Sequence, residues 1–194
     1  MYESNHLFPA RACVHPGCDI RLWSTLTGPI ANPGNGHFYY LLSQDTWTGA
    51  EAEAVALGGH LATINDLGEN NWVMSAFGTF GGVQRALWIG LTDAGHEGTF
   101  TWTDGEALAF TYWELGQPDN GGPGEDWVQL LPPAHYAAGQ WNDFQNLNVV
   151  DYADVPLFGV PVNGVVEVVP EPSAAWLVLP GCVAFSFWRT RKAP

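Results

Sequence analysis

Phe38-Tyr39-Tyr40-Leu41-Leu42 sets five apolar or aromatic residues in a row, a short run rich in β-formers that predicts a strand. The period then changes. After Thr46-Trp47-Thr48, residues Ala50, Ala54 and Leu57 recur at three- and four-residue steps along one helical face, and Gly58-Gly59 supplies the stop. A second helix is predicted to start at Asn65 or Asp66, either a good N-cap, with Glu69 near its first turn. Trp72, Val73, Ala76 and Phe77 form its apolar face. Beyond Gly78 the apolar runs shorten, and 86–91, 100–103, 127–131, 140–143 and 165–169 read as strands between Gly- and Pro-rich loops. Early helices followed by short strands predict an α+β domain.

The apolar share is 46% with 10 Trp, ample for a core, and Trp47, Trp72, Trp88 and Trp102 are read as part of it. Between 32 and 169 the acidic residues number 17 and Arg85 is the sole base. Such a surface repels phosphate backbones and excludes nucleic acid as a partner. Carboxylates this dense either keep the chain soluble or await a divalent cation with a preference for oxygen ligands. Cys13, Cys18 and Cys182 leave 19–181 without a cysteine, so no disulfide staples the predicted core.

The ends read differently from the middle. Residues 173–188 form a mostly apolar run, short for a membrane span, followed by Arg189, Arg191 and Lys192. Pro170-Glu171-Pro172 stands just before it, and the three elements together resemble the PEP-type (PEP-CTERM) sorting signal of certain Gram-negative bacteria. That resemblance implies transient membrane contact, a sorting protease acting at the tail, and delivery to the cell surface or extracellular matrix. Residues 1–30 show neither a basic start nor an apolar leader core. The expected division is therefore 1–31 as an N-terminal segment with a misassigned start or degraded leader, 32–169 as the domain, and 170–194 as the sorting tail.

Within the domain, five segments follow one another in a fixed order. They are Gly58-Gly59-His60-Leu61-Ala62, Trp88-Ile89-Gly90-Leu91, Gln117-Pro118-Asp119, Gly124-Glu125-Asp126 and Trp141-Asn142-Asp143. In that order and spacing they resemble the C-type lectin domain family across roughly 36–168. The resemblance implies a C-type lectin-like fold with two helices, short antiparallel sheets and a long calcium-binding loop. The family's cysteine positions fall on Ala54, Trp127, Asn146 and Val166, so the usual disulfides are absent and packing must replace about 2–4 kcal/mol for each.

The family pattern assigns a principal Ca²⁺ to Gln117, Asp119, Glu125, Asn142 and Asp143, whose amide and carboxylate oxygens suit that ion. The same five residues are the expected sugar-binding set, with a cis peptide at Pro118. A weaker auxiliary calcium is expected at Asp93, Glu97, Asn120 and Asp126. The Gln-Pro-Asp triplet implies galactose-type sugars on a glycan or exopolysaccharide. Asn120-Gly121-Gly122 follows where an aromatic residue often stands, leaving Trp113, Trp141 or Tyr136 to cover the sugar's apolar face. The alternative is a calcium-stabilised adhesin or matrix protein that binds proteins. His60 and His96 lie near carboxylates, but no nucleophile motif accompanies them, and no enzyme is expected.

Overall fold

The computed structural model of the chain describes residues 25–122, 124–152 and 159–170. In chain order its elements are β1 (Thr25–Ala31), β2 (Phe38–Gln44), α1 (Trp47–Ala56), β3 (His60–Leu61), α2 (Leu67–Phe77) and a 3₁₀ turn at Phe80–Gly82. There follow β4 (Ala86–Thr92), β5 (Thr101–Trp102), β6 (Trp127–Leu130), β7 (Trp141–Phe144), β8 (Val149–Val150) and β9 (Val160–Val168). The sheet runs β1-β2-β9-β4-β6-β7, with β3 and β8 paired to β9 and β5 paired to β4. Among the described strands, only β4 and β9 pair in parallel. The strand latest in sequence thus sits between β2 and β4, and the sheet is complete only once that end of the domain is in place.

The helices start where side-chain caps allow. Thr46 Oγ1 accepts the N–H of Gly49 at 3.2 Å, and Asp66 Oδ1 accepts the N–H of Glu69 at 2.8 Å. After α1, Gly59 must be glycine because a Cβ there would lie 2.0 Å from the carbonyl oxygen of Glu167. This close approach lets β3 pair with β9, His60 opposite Glu167 and Leu61 opposite Val166.

Two buried clusters lie on the two faces of the sheet. One face carries Leu41, Leu87, Ile89 and Val165 against Val73 and Phe77 of α2. The other carries Leu42, Trp88, Val162 and Val166 against Trp47, Ala50 and Ala54 of α1. Covered on both sides, β4 is buried from Ala86 through Leu91, which is why it reads as an unbroken apolar run with no alternation. Two indoles tie the middle of β4 to the start of α1 and the residue before its cap: Trp47 donates to the carbonyl of Ile89 and Trp88 to that of Asp45.

The positions matched to the family's cysteines are filled in two ways. Ala54 and Val166 are both fully buried in the α1-side cluster. Trp127 packs on Trp47 with ring centroids 6.4 Å apart. Asn146 exchanges hydrogen bonds with Thr48, accepting its backbone N–H at 3.2 Å and donating to its hydroxyl at 2.9 Å.

The structure departs from the sequence reading in four places. β1 lies inside the stretch assigned to the N-terminal segment, paired with β2 from Thr25↔Leu42 to Ala31↔Phe38. β9 starts at Val160, earlier than 165, because Pro161 and Asn163-Gly164 disguise a strand that continues through them. Of the four tryptophans assigned to the core, Trp72 is only partly buried, at its rim. β5 is shorter than expected, Thr101–Trp102 alone. The three cysteines and the tail beyond 170 lie outside the described residues, among which no helix is long and apolar enough to cross a membrane.

Candidate metal centre

β7 delivers Asp143 to the end of the sheet, where it is 2% exposed, and the long loop between β5 and β6 folds over it. Its two carboxylate oxygens accept the backbone N–H groups of Asp119 (3.2 Å) and Asn120 (2.9 Å). These bonds fix the loop directly after Gln117-Pro118, whose peptide bond is cis as expected. Asp119 Oδ1 then accepts the N–H of Gly121, and Asn120 Oδ1 accepts that of Glu125, so the loop curls back on itself. Gly122 allows the last step: a Cβ there would stand 2.3 Å from Gln145 Nε2 and 2.9 Å from Glu125 Oε1.

The result is a set of three carboxylates from distant positions. One oxygen each from Asp119, Glu125 and Asp143 lies within 4.8 Å of the others. Two calcium–oxygen bonds of about 2.4 Å end to end span about the same distance, so one ion can reach all three. Gln117 Oε1, two residues before Asp119 in the chain, is buried without a hydrogen-bond partner. Asn142 is half-buried and pairs with Gln129 across the sheet. The donor set is entirely oxygen, as a hard divalent cation requires.

Electrostatics agrees with the geometry. Burial raises the Asp143 carboxyl above its ordinary 3.8; amide hydrogen bonds from Asn120 and Asp119 oppose this, and the charge of Asp119 adds to it. Glu125 is raised above its ordinary 4.5, first by burial and further by the charges of Asp143 and Asp119, against hydrogen bonds from Gly121 and Gly122. Arg85, the sole Lys or Arg of the described residues, gives them no relief. It is buried and donates to the carbonyls of Phe77 and Phe80 at the end of α2.

A pocket of about 180 Å³ opens beside this cluster, lined by Asp93, Glu97, Asn120, Asp119, Asp143, Phe100 and Pro118. Three of the four residues assigned to an auxiliary ion therefore share one cavity. Asp93 Oδ2 accepts the N–H of Gly98, whereas its buried Oδ1 has no partner. Asp126, the fourth, is outside the lining and contributes its backbone carbonyl to the N–H of Asp93 and the hydroxyl of Thr92.

The aromatic candidates separate cleanly. Trp141 is fully buried, its indole donating to Asn70 Oδ1 at 2.7 Å, and cannot stack on a sugar. Trp113 is partly buried against Phe100 and Trp141. Tyr136 is 77% exposed, with its hydroxyl bonded to Glu114. Next to Glu114, Leu115 is 97% exposed, a feature the apolar pattern did not flag.

A family model described as the lectin C-type domain matches residues 43–151. The chain belongs to the C-type lectin domain family. It is 33% identical over 145 residues to the hepatic lectin of Gallus gallus, covering 73% of this chain and 62% of that protein. It is 44% identical over 96 residues to the alpha-N-acetylgalactosamine-specific lectin of Patiria pectinifera, covering 44% of this chain and 55% of that protein. The chain thus spans less than two thirds of either relative's length. Among solved structures, the carbohydrate-recognition domain of the mouse scavenger receptor C-type lectin aligns at a TM-score of 0.53 with 32% identity, over 70% of this chain and 90% of that one. The C-type lectin-like fold, two helices packed on a sheet without disulfides among the described residues, is therefore this domain's fold. Family membership places the domain among carbohydrate-binding folds and not among enzymes.

Proposed function

We propose that the domain binds glycans through a calcium ion held by Gln117, Asp119, Glu125, Asn142 and Asp143. The observation that carries this reading is the three-carboxylate cluster, with Gln117 Oε1 buried and unpartnered two residues before Asp119 and no Lys or Arg to neutralise the charge among the described residues. When bound, the ion supplies open coordination positions for two neighbouring sugar hydroxyls. The protein's part is to hold its oxygens in register. Asp143 anchors the loop through two backbone amides, and Asp119 and Glu125 offer remaining lone pairs to the hydroxyl protons.

The Gln-Pro-Asp triplet supports a galactose-type sugar, as does the relative named as alpha-N-acetylgalactosamine-specific. The pocket holding Asp93, Glu97 and Asn120 suits a second, weaker ion. The Pro-Glu-Pro tail supports secretion and sorting to a bacterial surface or matrix, with protease contact at 170–194. A second reading, protein binding through the same loop, is favoured by Leu115 standing almost fully exposed two residues before Gln117.

The test is thermal unfolding with millimolar calcium, with chelator, and with calcium plus galactose or mannose. Calcium at about a hundred times its Kd should stabilise by about 2.7 kcal/mol. Asp119→Ala should abolish that rise, and galactose should add a further one. No calcium effect in the wild type would overturn the reading. A calcium effect without any sugar effect would favour protein binding.

A further inference from the structure

The turn before β2 and the first turn of α2 border a cavity of about 430 Å³ that shares no residue with the loop cluster or the pocket beside it. Ligand pockets run from about 300 to 1,000 Å³. Its walls are tied to one another. Asn35 Nδ2 donates to Glu69 Oε1 at 2.9 Å, and the N–H of Asn65 reaches Glu69 Oε2 at 2.9 Å. Asn32 gives its backbone N–H to His37 and takes that of Gly36, which closes the turn. The opening is thus set before a ligand arrives.

Two residues of the wall have capacity left. Trp72 packs on Tyr39 with ring centroids 4.9 Å apart and meets Phe77 edge-on at 5.8 Å, yet it is only partly buried and lines the cavity. Asn32 also lines it and is 3% exposed. Its Oδ1 accepts the N–H of Gly34 at 2.9 Å, while no acceptor among the described residues takes its Nδ2. A buried donor left over in this way favours a ligand that brings an acceptor. The rest of the lining narrows the ligand. No Lys or Arg is there to hold an anion. Glu69 is already committed to Tyr39, Asn35 and Asn65, and Asp66 Oδ1 caps α2, so little bare charge remains for a cation. An aromatic ring beside amide groups suits a neutral molecule with one apolar face and a rim of hydroxyls.

We propose that this cavity is a second sugar site, independent of calcium, that takes one pyranose unit with its C–H face on Trp72 and a ring or hydroxyl oxygen accepting from Asn32 Nδ2. It does not rest on the calcium reading above. Two sites on one domain would hold a long glycan at two points and raise its avidity.

The experiment measures saturation transfer by NMR from the full chain to the methyl glycosides of galactose, glucose and mannose, in chelator and again with calcium. At least one glycoside should receive saturation on its ring C–H protons in chelator. Trp72→Ala should abolish that transfer. Asn32→Ala, which deletes the donor and leaves the exposed Gly34 N–H to water, should weaken it severalfold. Denaturant unfolding checks that each variant is folded, and Asn32→Ala carries the test if Trp72→Ala is not. No transfer in chelator, or transfer that both folded variants retain, would overturn the inference. Transfer seen only with calcium would assign the sugar to the loop and overturn it too. Tetramethylammonium chloride is the contrasting probe: saturation of its methyl protons alone, lost in Trp72→Ala, would make the cavity a cation site instead.

Discussion

Glu69 and Glu167 are buried between α2 and β9, and Asp119, Glu125 and Asp143 gather where β7 meets the long loop, but among the described residues only the first group receives side-chain donors. Tyr39 gives its hydroxyl to both Glu69 and Glu167. Asn35 Nδ2 and the N–H of Asn65 complete Glu69, while His37 and the N–H of Thr63 complete Glu167. At the other site backbone amides alone reach Asp143, Asp119 and Glu125, and Gln117 Oε1 and Asp93 Oδ1 have no hydrogen-bond partner. One chain thus handles buried negative charge in two ways. At Glu69 and Glu167 donors converge from β2, the turn before β2 and the segment between β3 and α2; at the loop, acceptors are gathered without side-chain donors.

The largest effect comes from removing a donor at the complete site. Burial holds the Tyr39 phenol protonated, well above its ordinary range, so it is a donor throughout neutral pH. Tyr39→Phe deletes the one group shared by two buried carboxylates and should cost about 2–4 kcal/mol, read by denaturant unfolding. The calcium-dependent rise in melting temperature should survive it unchanged. If calcium response and stability fell together, the two sites would be coupled and the contrast between them wrong.

Acidity separates the sites next. Asp143 and Glu125 titrate above their ordinary 3.8 and 4.5 in the folded state, and burial also raises Glu69. For a group raised on folding, the folded state binds the extra proton, so stability is fullest at and below the ordinary value and is lost as pH climbs through the raised one. Calcium-free protein should therefore become more stable as pH falls from neutral toward the ordinary carboxylate range. Saturating calcium should reverse that slope, because the ion needs the deprotonated carboxylates. Asp143→Asn should flatten the calcium-free slope only in part, leaving the share that belongs to Glu125 and Glu69. A slope unaffected by calcium would deny the loop carboxylates any role in binding.

The elements that were legible in the sequence carried local signals. Thr46 and Asp66 cap α1 and α2, and the unbroken run of β4 follows from burial on both faces. The strand β1 was not legible because its Gly28-Pro29 interrupts any β pattern, and β9 hid behind Pro161 and Gly164. The loop carboxylates were legible only because five short motifs keep one order, which fixes their order but not their distances. The Tyr39 network was not legible, since its members are joined across separations of 30 and 128 residues. One signal was available: Glu167 is a lone charge inside the apolar Val165-Val166-Glu167-Val168.

The smallest effect is expected at a neutral pair. Asn146 and Thr48 exchange an amide–hydroxyl and an amide–backbone bond at the surface, at one of the positions matched to a family cysteine. Asn146→Ala should cost about 0.5–1 kcal/mol, measured as a shift in denaturant midpoint. Because neither partner titrates near neutrality or ligates an ion, the shift should be the same at pH 5.5 and 7.5, values about a unit or more above the ordinary carboxylate range, and the same with calcium or chelator. A shift that varied with calcium would mean that this clasp holds the calcium loop through Gln145, which packs against Gly122 in the next turn. The loop would then be incomplete in its anchoring as well as in its charge, and the disulfide-free design would bear directly on ion affinity.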